Sequence, residues 1–101
     1  MNDAFALLAD PGRRQILDLL RGGERSVGEL CEVMPISQPG VSKHLRLMRE
    51  AGLVSVRADA QRRFYRLEAG PLQALDRWLQ PYRQFWSERL DALEHHLDQE
   101  C

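Results

Sequence analysis

Gln38, Ser42, Lys43 and Arg46 fall within one short segment, SQPGVSKHLRLMREAGLV, and supply the donor groups that nucleic-acid contact requires. A glutamine amide can pair bidentately with adenine, and a lysine ammonium can donate to guanine O6 and N7. Serine hydroxyls and arginine guanidiniums hold phosphate oxygens, which fixes register without reading sequence. His44 stands among them near the inward flank, where packing or phosphate bonding suits it better than catalysis. Plainer readings remain for two of these residues: Gln38 as a partner for the local helix start, and Ser42 as an exposed filler.

The same segment holds the single lysine of a chain whose net charge is −1. Charge is unevenly spread, with residues 1–36 at −2, residues 37–66 at +5 and residues 67–101 at −4. A basic block between acidic flanks suits a local anionic partner better than general attraction to polyanions. Arg57 and Arg66, which belong to this block, have solubilisation as their plain role.

The 101 residues are expected to form one domain, and a composition 44% hydrophobic and 29% charged is that of a folded protein. No apolar run reaches the ~18 residues of a membrane span. The opening MNDAFALLADPGRR lacks a basic stretch before its apolar run, so no secretory signal is expected. Cys31 and Cys101 form no close pair, which favours a reducing cytoplasm.

Elements that could position the donor set follow from local signals. A first helix is expected over 3–9, with Phe5 and Leu8 on one side. Asp10-Pro11 restarts the chain as N-cap and first helical residue, and Gly22-Gly23 ends the helix that follows. Ser26 and Glu29 form the S-x-x-E pattern of a capping box, and Pro35 stops that helix near Met34. Ser37 opens a helix running to about Ala51, ended by Gly52, with Val41, Leu45 and Met48 as its buried stripe. Val54, Val56, Tyr65 and Leu67 alternate with polar residues around Asp59-Ala60-Gln61, a β-hairpin with arginines on both arms. These elements, over 10–67, make a winged helix-turn-helix: mostly α with a small β-hairpin.

Residues 70–98 read as one long amphipathic helix. Leu72, Leu75, Leu79, Tyr82, Trp86, Leu90 and Leu93 step by three or four, with Trp78 and Phe85 widening the stripe. Pro81 is expected to kink or split it. With Phe5, this stripe is expected to make a homodimer, placing two basic helices about one DNA turn apart.

The run from Asp10 to Leu67, and above all SQPGVSKHLRLMREAGLV and RRFYRL, resembles the ArsR/SmtB family of winged-helix repressors. The resemblance implies a homodimer on a palindromic operator of double-stranded DNA, with a C-terminal dimerisation helix. It implies groove-facing roles for Gln38, Ser42 and Lys43, phosphate contact by His44 and Arg46, and backbone contact by Arg62 and Arg63 in the wing.

The family's metal-sensing patterns are incomplete here. In ELCEVM, Cys31 matches the first cysteine of a Cys-x-Cys pair, but Val33 occupies the second position. One thiolate does not make the two- or three-sulfur site that soft ions prefer. Asp91, His95 and Asp98 share a helix face and could hold a borderline ion, although the upstream half of the family's zinc site is missing. No cofactor is therefore expected, and the effector is undefined. A redox role for Cys31 is opposed by its neighbours Glu29 and Glu32. No nucleophile–base spacing or phosphate loop suggests an enzyme. Two alternatives remain: a winged-helix module that docks protein rather than DNA, and a metal- or redox-responsive repressor.

Overall fold

The computed structural model describes the backbone of residues 4–100 and the side chains of residues 4–94. Its elements are α1 (Ala4–Leu7), α2 (Pro11–Leu20), β1 (Arg25–Ser26), α3 (Val27–Val33), α4 (Gln38–Glu50), β2 (Val54–Asp59), β3 (Arg62–Leu67) and α5 (Gly70–Glu100). The strands form an antiparallel sheet in the order β1-β3-β2.

Helix starts follow from side chains that satisfy otherwise unpaired backbone donors. The Asp10 carboxylate accepts from the Gly12 N–H at 2.7 Å and from the Arg13 N–H at 3.4 Å. Its pKa lies below the ordinary carboxylate value, chiefly because of the Gly12 bond. Ser26 accepts from the Glu29 N–H at 3.2 Å while Glu29 accepts from the Ser26 N–H at 2.9 Å, completing the capping box. Ser37 accepts from the Gly40 N–H at 3.3 Å and opens α4.

The end of α4 determines where the wing begins. Gly52, at φ +78°, turns the chain so that its N–H meets the Arg49 carbonyl and the Leu53 N–H meets the Met48 carbonyl at 2.8 Å. Leu53 thereby drops into the core, and β2 starts directly behind it. Ile16, Leu30, Val41, Leu45, Met48 and Leu53 are the largest fully buried side chains. They come from α2, α3, α4 and the α4–β2 turn. Burial at roughly 1.5–3 kcal/mol each outweighs anything the exposed ion pairs contribute.

The first helix and the hairpin loop differ from expectation, and one strand was not expected. The first helix is Ala4–Leu7, shorter than 3–9, because Asp10 must adopt an extended cap conformation at φ −84° and ψ 121°. Its inward residues are Ala4 and Leu7, whereas Phe5 is exposed and Leu8 only partly buried. β1 carries no alternating pattern and pairs with β3 through only Arg25↔Tyr65 and Ser26↔Phe64. The hairpin loop is only Ala60-Gln61, since Asp59 pairs with Arg62.

α5 runs unsplit through Pro81. The carbonyl left without its N–H partner belongs to Arg77 on the exposed side, where water can satisfy it. At ~1.5 Å per residue the helix is about 46 Å long. The radius of gyration is 18.3 Å, against about 13 Å for a compact chain of this length. The excess is α5 projecting beyond the core.

Candidate nucleic-acid interface

Burial divides α4 into two sides. Val41, Leu45 and Met48 are 0% exposed, whereas Gln38, Ser42, Lys43, Arg46, Arg49 and Glu50 face solvent. Among the described residues, Lys43, Arg46, Arg49, Arg62 and Arg63 form no ion pair and no side-chain hydrogen bond. Five cations are thus left free for an external anion.

Other arginines of the basic block are already occupied. Arg57 donates to both Glu24 carboxylate oxygens, at 3.2 and 2.9 Å, which holds the Glu24 carboxyl below its usual range. Arg66 donates to Glu68 at 3.3 Å, and the Ser55 hydroxyl donates to the same Glu68 oxygen at 2.9 Å. These contacts tie the wing to the turn before β1 and to the start of α5. Sequence reading missed the pairing because Glu24 and Arg57 are 33 residues apart.

Strand alternation separates the two wing arginines. Arg62, Phe64 and Arg66 lie on one face of β3, and Arg63, Tyr65 and Leu67 on the other. Arg57 and Arg62 stand over the Phe64 ring at 5.0 and 5.1 Å, so the ring orders the arginine face. Arg62 and Arg63 therefore flank the hairpin tip.

His44 is placed differently from its neighbours. It is half-buried and turned back towards α2, where its Nδ1 accepts from Arg13 Nε at 3.1 Å. Arg13 also donates to the Leu7 carbonyl at 3.4 Å. Sequence gave no signal for this bond, since PGRR marks a helix start without saying where either arginine points.

Along α5, Leu72 packs against the chain's own core, and Leu75 and Leu79 are half-buried. From Trp78 onward the apolar face is uncovered: Trp78 is 57% exposed, Trp86 49% and Leu90 65%. Phe5, Trp78, Tyr82 and Trp86 form a continuous row, with centroid separations of 6.5, 5.0 and 6.4 Å. Leu93 extends this face.

Cys31 is half-buried and packs on the core, while Val33 is exposed. Among the described residues no three His, Cys, Asp or Glu side chains gather to hold a metal ion. The His95 and Asp98 side chains, and Cys101, lie outside the described residues. Among the described residues no helix is long and apolar enough to cross a membrane.

Residues 10–56 match the profile of the arsR family of bacterial regulatory proteins. The transcriptional repressor SdpR of Bacillus subtilis is 38% identical over 79 residues, covering 78% of this chain and 88% of the relative. The chain belongs to the ArsR family. The transcriptional regulator Rv2034 of Mycobacterium tuberculosis is also 38% identical, over 97 residues, covering 96% of this chain and 88% of the relative. Among solved structures, a possible transcriptional regulator for arsenical resistance is similar with a TM-score of 0.68 and 38% identity, covering 92% of this chain and 94% of that one. The fold is accordingly an ArsR-type winged helix-turn-helix, and the chain is a DNA-binding transcriptional regulator.

Proposed function

We propose that this ArsR-family chain is a homodimeric repressor that places α4 of each copy in the major groove of a palindromic operator. The observation that carries this reading is the outward face of α4. Gln38, Ser42, Lys43 and Arg46 are exposed there, and Lys43 and Arg46 have no internal partner among the described residues. Gln38 and Lys43 face the base edges, Ser42 and Arg46 the groove wall, and Arg62 and Arg63 hold the backbone beside it. The uncovered row from Phe5 to Trp86 seats the second copy, and two-fold pairing turns one recognition helix into a palindrome reader. Acidic segments on either side of the basic block repel duplex that is not docked through α4 and the wing. DNA binding by this scheme uses the chain's own cations and no metal, in the cytoplasm where the DNA lies.

The test is binding to the duplex upstream of the chain's own gene beside a scrambled duplex of equal length, under reducing conditions with chelator present. Preference for the native duplex, weakening steeply with salt, is the expected result. Equal weak binding to both, restored by zinc, would instead assign DNA competence to a metal site involving Cys31 or the Asp91–His95–Asp98 face. Transcription from a reporter carrying the same upstream segment should fall when the protein is supplied; a rise would make it an activator.

A further inference from the structure

α4 is held to α2 by a polar contact as well as by its apolar stripe. Arg13 Nε donates to His44 Nδ1 at 3.1 Å, and the same guanidinium donates to the Leu7 carbonyl at the end of α1. An imidazole that accepts at Nδ1 is neutral and carries its hydrogen at Nε2. That second nitrogen faces the first turn of α2, and a Cβ added at Gly12 would lie 3.4 Å from it. Glycine at this position lets α2 approach the ring.

We propose that Arg13 is a positioning residue for the recognition helix, acting through His44, so that operator affinity weakens when the Arg13–His44 bond is removed. The inference rests on the DNA-binding reading of α4. Lys43 precedes His44 in sequence, and Arg46 follows it by two residues on the same helix. The Arg13–His44 bond sets the rotation at which those two leave the surface. Arg13 continues to α1, whose Phe5 ring centroid lies 6.5 Å from that of Trp78 on α5. One guanidinium thus joins the element carrying the base-reading residues to the element bordering the uncovered apolar row.

The experiment is operator affinity at pH 8 for the wild-type chain and for His44→Asn, His44→Ala, Arg13→Ala and the double alanine variant. The amide of His44→Asn keeps an acceptor near the Nδ1 position. At pH 8, His44→Asn should bind like wild type, and each single alanine variant about five- to tenfold more weakly, tenfold being 1.4 kcal/mol. The double variant should bind no more weakly than either single one, because both remove the same bond. Additive alanine effects, or His44→Asn binding as weakly as His44→Ala, would overturn the proposal. Nitrogen chemical shifts of His44 in the DNA-free protein separate the two readings. The Nε2–H tautomer, altered in Arg13→Ala, supports the bond, and the Nδ1–H tautomer overturns it whether or not DNA binds. The expected tautomer in a protein that binds no duplex would sink the DNA reading, and the positioning role with it, while leaving the bond intact.

Discussion

Lys43 and Arg62 represent two kinds of side chain on this surface. Lys43 is exposed with no ion partner among the described residues, whereas Arg62 is ordered on the Phe64 ring. Lys43→Ala should weaken operator binding and relax base preference at the position it faces, as loss of a base contact does. An unchanged base preference with a salt slope lower by about one would move Lys43 to phosphate contact. Unchanged affinity for Arg62→Ala would remove the wing from the interface. The caps answer to acid. Asp10 and Glu29 have folded pKa values below their ordinary 3.8 and 4.5. A depressed carboxylate stabilises the fold above its unfolded pKa and loses that contribution as pH falls through its folded value. Thermal midpoints should therefore drop as pH falls below about 4. Asp10→Asn, which keeps the cap without the charge, should make that drop shallower. Equal slopes would mean that Asp10 contributes nothing to acid sensitivity.

Each element shows why some features were legible in the sequence and others were not. Asp10-Pro11, Ser26-x-x-Glu29, Ser37 and Gly52 act within a few residues of themselves, so three helix starts and the end of α4 could be read directly. The buried stripe of α4 was legible for the same reason, being a period of one helix. β1 was hidden because two residues cannot display alternation, and its partner lies about 40 positions away. The Arg13–His44 and Glu24–Arg57 contacts were hidden too, because tertiary packing alone brings them together. The Ala60-Gln61 loop adds a strain that sequence did not flag: Ala60 sits at φ 56°, where a side chain is disfavoured. Ala60→Gly should raise stability by roughly 0.5–1 kcal/mol in chemical denaturation. A loss there would mean that the added freedom of the unfolded chain outweighs the strain. Leu45→Ala, by contrast, should cost about 2–5 kcal/mol by the same measurement. A cost under about 1 kcal/mol would show that neighbouring residues collapse into the space.

At the scale of the whole molecule, two features come from different kinds of information. Charge partition was visible in the sequence, with the basic block in the winged region and acid on both sides. The division of α5 was not, because Leu72 and Trp86 share one periodic stripe yet only the first meets the chain's own core. Trp86→Ser or Leu90→Asp should shift the protein from dimer to monomer in sedimentation velocity and sharply reduce operator binding at equal concentration. A dimer that survives both changes would place the contact elsewhere, along the Phe5 end of the row.

β3 passes into α5 through Glu68 and Ala69 alone. Glu68 is gripped by Ser55 and Arg66, and its N–H is bound to the Leu53 carbonyl at 2.8 Å. These bonds fix where the chain leaves the wing, so the bearing of α5 relative to the wing and α4 depends on the length of the chain at that point. One residue inserted there would roll α5 by ~100° about its axis and carry the aromatic row away from its present bearing. In the proposed dimer, the distance between operator half-sites would then depend on backbone counting at this junction as well as on base contacts.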